Sequence, residues 1–259
     1  MYKKVFIFAL LLILVIGGIV QAGEIKVNVE QNEKSEKSDV KDVKTDYDLE
    51  YEELNFNNFK ANGGPVLGAI QFDLNQLNEI IETENFSPFS KNMVFFGSKG
   101  IIGSKKGSRL GFFDMEGSLK SVNTENEIYK KAILEMKYGG MLYERGIYVN
   151  SKTNTDISFS SMIGSGNMNL DLYYDKADSS FEGQINQASS NHFTKKFFLI
   201  APGVTLHQKI SSLVGLDLSL KYMLSYDFDK TWISQGQSLT GPMNDFYAPV
   251  LNLQMSFGF

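Results

Sequence analysis

The chain has 259 residues, no cysteine, two histidines and a formal charge of -5 from 25 basic and 30 acidic side chains. That length can bury a sizeable core, the lack of cysteine excludes disulfides and thiolate metal clusters, and the acidic balance removes the electrostatic basis of nucleic-acid binding. Twenty Phe, twelve Tyr and 23 Gly favour β-structure.

Lys3 and Lys4 precede an apolar run over 5–20, and Val20-Gln21-Ala22 then offers small residues at signal-peptidase spacing. This predicts a signal peptide over 1–22, because sixteen apolar residues fall short of a permanent span. Residues 23–58 follow with eleven acids and five lysines, a net -6. Such a segment cannot bury enough apolar surface to offset its ordering entropy, so 23–59 is expected to be a disordered, solvated leader.

Asn62-Gly63-Gly64-Pro65 predicts a turn. Asp73 and Gln76 have capping-box spacing, and Leu74, Leu77, Ile80 and Ile81 then recur on one helical face until Ser87-Pro88 ends the pattern. Residues 60–91 are therefore expected to form a turn plus a short amphipathic helix on the periplasmic side, outside a β-domain spanning 92–259.

Within that domain the strand signal is alternation. Val214, Leu216, Leu218, Leu220, Tyr222, Leu224 and Tyr226 alternate with Gly215, Asp217, Ser219, Lys221, Met223 and Ser225. Tyr247, Pro249, Leu251, Leu253, Met255, Phe257 and Phe259 repeat the pattern to the last residue. Weaker copies occupy 134–143, 168–174 and 198–210, and Gly-rich ones occupy 93–103, 109–120 and 156–163. That makes eight strands.

Short links are expected at 164–166 and 211–212, a medium one at 121–130, and long ones at 145–155, 177–192 and 227–246. An up-and-down transmembrane barrel has short periplasmic turns and longer outer loops. Counting back from an inward-running last strand places the three long links outside, with the short link at 104–108 out of pattern. Period alone leaves a second reading open, a secreted soluble β-sandwich whose oily faces form a dry core. Strand length, the terminal aromatic and the signal peptide favour the membrane.

These residues, ending in Leu253-Gln-Met-Ser-Phe-Gly-Phe259, resemble small outer-membrane β-barrel proteins of diderm bacteria. The resemblance implies an outer-membrane location, contact with membrane lipid, and recognition of the C-terminal strand by the barrel-assembly machinery. It implies a structural, surface-contact or small-solute passage role without catalysis.

No Gly-x-Ser-x-Gly elbow is present. A barrel enzyme acting on acyl chains would have to use His192, near Asp178, Ser179 and Ser180 in an expected outer loop. His207, with Thr205 and Lys209 on the polar face, reads as a hydrogen-bonded interior or turn-proximal residue rather than a catalyst. Asp227, Asp229 and Asp245 lack the spacing of a calcium loop and read as solvated. Gly97, Gly100 and Gly103, with Lys105-Lys106-Gly107-Ser108, do not form a phosphate loop and suit close backbone approach in a curved sheet. No catalytic, cofactor-binding or metal-ligating residue is assigned, and no cofactor is expected.

Overall fold

The computed structural model describes residues 59–125, 128–176 and 189–258. The chain divides into two compact units, Met1–Glu50 and Tyr51–Phe259, and every described residue belongs to the second. The expected signal peptide, most of the leader and the terminal Phe259 lie outside the described residues.

Ten strands and one helix follow in order: β1 (Phe59–Gln71), α1 (Asn75–Thr83), β2 (Asn92–Ser104), β3 (Ser108–Glu125), β4 (Ile128–Asn150), β5 (Thr155–Lys176), β6 (Ser189–Lys209), β7 (Val214–Tyr226), β8 (Thr231–Ser234), β9 (Gln237–Thr240) and β10 (Tyr247–Gly258). The sheet order β5-β4-β3-β2-β1-β10-β7-β6 is closed by pairing of β5 with β6, giving an all-antiparallel barrel of eight strands. The β8–β9 hairpin sits beside β6 through one bridge, Thr194 to Ile233.

The expected count of eight holds, but two of its members change. Residues 59–71 are a strand, not a turn leading into a helix, so the barrel starts at Phe59 rather than at 92. Pro65 has no N–H to donate, and the β1–β10 register is interrupted at Gly64 and Pro65 while β1–β2 pairing runs unbroken. Conversely, the expected link at 164–166 lies inside β5, where Gly164 faces Gly140 of β4 across the ladder. A side chain at Gly164 would collide with the Gly139 and Gly140 backbone, so glycine serves close approach there.

These changes re-sort the loops. The ends of β1 and β10 share one rim, the terminal end, with the links 105–107, 151–154 and 210–213. The opposite, distal end carries the helical link 72–91, the link 126–127, the link 177–188 and the 227–246 loop. Links 104–108 and 145–155 thus move from the expected outer side to the terminal rim, and 121–130 moves to the distal rim. Three of the four distal links, 72–91, 177–188 and 227–246, are long and contrast with the short turns at the other end, the fourth, 126–127, is itself short, and the link at 104–108 now lies among short turns.

The outside of the barrel is oily. Leu216, Leu218, Leu220, Leu251 and Leu253 point outward, with Leu220 62% exposed, so no second layer of protein covers them. The row Phe112–Met141–Ile163–Ile200–Leu224 continues this surface around the ring. This is the inverse of a sandwich, in which those faces would be enclosed. Among the described residues no helix is long and apolar enough to cross a membrane.

Strand lengths are unequal. β7 has 13 residues and β4 has 23. At about 3.3 Å per residue and a tilt of about 40°, these rise about 33 Å and about 58 Å, against an apolar band of about 25 Å. The sheet β3–β6 must therefore project beyond the lipid. Placing a charge in the band tests the assignment: Leu220→Arg should destabilise the lipid-embedded protein by about 2–4 kcal/mol in reversible urea unfolding, whereas Ser118→Arg on the projecting wall should change it little.

Candidate functional site

The lumen has two zones. Toward the terminal end, every barrel strand except β10 contributes a charged or imidazole side chain. Lys60, Lys99, Arg109 and Lys221 face Glu144, Asp156 and Asp217, around His207. Lys99 Nζ lies 2.8 Å from Glu144 Oε1, Lys60 Nζ 3.0 Å from Asp156 Oδ2, and Arg109 Nη2 3.3 Å from Asp156 Oδ1. His207 sits 2.9 Å from Asp217 through Nδ1 and 3.1 Å from Glu144 through Nε2. β10 adds polar rather than charged groups, and Gln254 Nε2 donates to the Lys99 carbonyl at 3.0 Å.

Burying so many charges is costly, and pairing offsets the cost. Inward positions of an eight-stranded barrel must be filled by side chains, and here charge pairs do the filling at one level. His207 is interior and hydrogen-bonded, as its alternation implies. A cavity of about 230 Å³ opens at the terminal rim, with Lys60, Asp156, His207 and Asp217 in its lining.

Toward the distal end the lumen is apolar. Val66, Ile70, Met93, Phe95, Leu134, Met136, Leu199 and Met223 are all buried there. The link 72–91 closes this end: Phe72, Leu74, Leu77, Ile81, Phe86 and Phe89 are buried, while Ile80, expected on the same stripe, is 51% exposed. Phe72 packs edge-on against Phe246 at 5.4 Å, and Phe246 against Phe197 of β6 at 5.2 Å. Asn78 fixes the helix to the returning chain, donating from Nδ2 to the Phe89 carbonyl (3.1 Å) and accepting from the Phe89 N–H (2.9 Å). Asp73 accepts from the Asn75 N–H at 3.2 Å, but the helix N-cap is Leu74 and has no side-chain cap hydrogen bond, so the expected capping box of Asp73 with Gln76 does not form.

The 227–246 loop is anchored by a buried ion pair. Lys195 Nζ lies 2.8 Å from Asp227 Oδ2, donates to Asn244 Oδ1 at 3.2 Å and stands 5.6 Å from the Trp232 ring. Asp227 is thus a buried structural acid rather than the solvated one expected. Its Oδ1 accepts from the Asp229 N–H (3.0 Å), and Asp245 Oδ1 accepts from the Asp227 N–H (3.2 Å). Among the described residues no group of three or more such side chains is placed to hold a metal.

The third feature is the projecting outer wall. Above the apolar row come Asp114–Gly139–Ser165–Phe198, then Glu116–Lys137–Asn167–Lys196, Ser118–Glu135–Asn169–Thr194 and Lys120–Ile133–Asp171–His192. Tyr226, Phe228 and Phe198 cluster at the lower margin, Phe228 lying 4.9 Å from Tyr226 and 6.4 Å from Phe198. Aromatic girdles mark the interfaces of membrane barrels. Beside them runs a groove of about 690 Å³, lined among others by Lys137, Asn167, Thr194, Lys196, Phe198 and Phe228.

His192 stands on this wall, not in a loop. Its Nδ1 is 2.6 Å from Asp171 Oδ1 and its Nε2 is 2.9 Å from Thr194 Oγ1. Asp178, Ser179 and Ser180, its expected partners, lie outside the described residues.

No family model matches the sequence, and no curated protein does. Among solved structures, the attachment invasion locus protein Ail of Yersinia pestis, crystallised with the heparin analogue sucrose octasulfate, is 14% identical, covers 78% of this chain and 98% of its own, and has a TM-score of 0.36. Neisserial surface protein A is 10% identical, with 78% and 97% coverage and a TM-score of 0.33. The outer-membrane protease OmpT of Escherichia coli is 7% identical, with 79% and 98% coverage and a TM-score of 0.38. These are likenesses of fold alone. The barrel assignment rests on the closed strand order and on the outward apolar band.

The charge cluster carries its own test. Glu144→Ala takes from Lys99 its 2.8 Å partner and from His207 one of its two carboxylates, and should cost about 3–5 kcal/mol in unfolding from detergent micelles; the double change Lys99→Met with Glu144→Met should cost clearly less, because Lys99 is no longer stranded.

Proposed function

We propose that this protein is a sealed outer-membrane barrel whose working surface is the projecting wall β3–β6, and that it acts by contact outside the membrane rather than by passing solutes. The single observation behind this reading is the filled lumen: charge pairs occupy one level, apolar side chains the next, and the α1 link seals the distal mouth. Eight strands leave no room for a water channel once side chains fill the interior.

Orientation follows from link length. The three long links 72–91, 177–188 and 227–246 share one rim with the short link 126–127, and long links suit the outer side, which puts the strand termini inside and the α1 plug, the hairpin β8–β9 and the wall outside. The helix expected on the periplasmic side then caps the outer mouth. Membrane lipid is the partner of the apolar band. Recognition of the last strand by the assembly machinery stays a proposal carried by the C-terminal sequence alone.

Because the chain is free of cysteine, single cysteines report sidedness without background. In intact cells Ser118→Cys should react with a membrane-impermeant maleimide and Ser212→Cys should react only after lysis. The reverse pattern overturns the orientation, and reaction of neither or both in the aqueous fraction overturns the membrane location. In planar bilayers the purified protein should show no porin-sized conductance steps, whereas such steps would refute the sealed lumen.

A further inference from the structure

We infer that Asp171, His192 and Thr194 form an esterolytic triad on the outer wall, a step beyond the contact role above and independent of which side of the membrane the wall faces. The geometry is carboxylate, imidazole and hydroxyl in a line: Asp171 Oδ1 at 2.6 Å from His192 Nδ1, and His192 Nε2 at 2.9 Å from Thr194 Oγ1. Antiparallel register builds it. Asp171 lies directly across the ladder from His192, Asn169 lies across from Thr194, and His192 and Thr194 are two apart on β6, so all four side chains leave the same face.

The protonation pattern follows from the partners. A carboxylate only accepts, so Nδ1 carries the proton shared with Asp171 and Nε2 keeps its lone pair. At rest the Thr194 hydroxyl donates its one proton to Asn169 Oδ1 at 3.1 Å, with His192 Nε2 2.9 Å from the same oxygen. For the imidazole to act as base, the hydroxyl turns that proton from Asn169 to Nε2, a rotation about one bond that leaves the oxygen in place. This is the arrangement by which a general base activates a hydroxyl nucleophile and a third group orients the base.

Thr194 also borders the groove described above. Phe198 and Phe228 give one wall an apolar lining, while Lys196, the next outward residue on β6, and Asn167, opposite Lys196, offer N–H donors. The substrate class that fits is an ester joining a short acyl group to an alcohol or sugar: acyl chain on the aromatic wall, carbonyl oxygen toward the donors. Thr194 Oγ bonds to the carbonyl carbon as its proton passes to His192 Nε2. The C–O bond to the alcohol breaks and that oxygen takes the proton from Nε2. Water then adds to the acyl-threonine, gives a proton to Nε2, and the acid leaves as the proton returns to Thr194 Oγ. The sequence needs no oxidant or other co-reactant.

The test uses the full mature chain refolded in detergent, with p-nitrophenyl acetate and butyrate for turnover and a p-nitrophenyl dialkyl phosphate as a covalent trap read by peptide mass spectrometry. The trap should modify Thr194 stoichiometrically, and Thr194→Val and His192→Ala should each lower kcat/KM by about 10²-fold or more, as expected for loss of nucleophile or base. Asp171→Asn should lower it as well, while Thr194→Ser should restore labelling and turnover. Each variant is checked for the heat-dependent gel shift of the folded barrel. No label at Thr194 in the folded wild type overturns the proposal. So does turnover that survives Thr194→Val but vanishes in His192→Ala, since that is hydrolysis by an exposed imidazole alone.

Discussion

A backbone that crosses hydrocarbon has no water to satisfy its N–H and C=O groups, so its strands must pair on both sides until the sheet meets itself. Here the seam between β5 and β6 runs in register from Thr155 opposite Gln208 to Tyr174 opposite Ser189, which closes the ring along nearly its whole height. Closure fixes everything else. Each strand acquires one face toward lipid and one toward a lumen too narrow for bulk water, and the side chains at alternate positions must answer to those two environments. Leu218 and Leu220 meet the first while Asp217, Ser219 and Lys221 meet the second.

Filling the lumen with charge rather than with methyl groups carries a desolvation cost that good pairing only offsets. The arrangement shows how the offset is shared. Glu144 contacts Lys99 on one oxygen and His207 on the other, and His207 in turn reaches Asp217. Four strands are thereby tied across the barrel rather than along it. Hydrogen bonds of the ladders already join neighbours, so these cross-lumen pairs add the one connection the sheet lacks. In the apolar zone above, α1 and its flanking phenylalanines pack as a core, and the buried Lys195–Asp227 pair ties β6 to the 227–246 loop rather than across the lumen. Two filling chemistries thus divide the interior by height, and the zone nearer the short turns is the polar one.

The alternation of β7 and β10 was readable because nothing interrupts a period of two, and the outward leucines in both strands follow it without error. β1 was not, since Gly63-Gly64-Pro65 reads as a turn and only pairing with β2 on one side and β10 on the other holds it extended. β5 failed the opposite way: Gly164-Ser165-Gly166 reads as a break, yet small residues there permit contact with Gly139 and Gly140. One strand gained and one division lost left the number eight intact while reversing the sides of the early links. The lumen cluster escaped notice because its members are single charges scattered over seven strands. Their shared signal is parity, each lying on the inward register of its strand, and that becomes visible only when the registers are known.

His192 illustrates the same limit at the level of a site. Local proximity in sequence suggests Asp178 and the serines beside it as its neighbours, and these lie outside the described residues. Pairing across the β5–β6 seam brings Asp171, 21 positions earlier, against its ring. The one local clue was the two-residue spacing to Thr194, which in a strand means a common face. Lipid-facing and water-facing requirements then decide where such a face can be polar. Below Phe198 the outward row is apolar and a charged triad would be expelled from hydrocarbon; above it, the strands of the wall continue by register alone into water, where no packing demand constrains their outward residues. The surplus length of β3–β6 is therefore the feature that frees the wall to carry chemistry, while the same barrel below it is committed to staying closed.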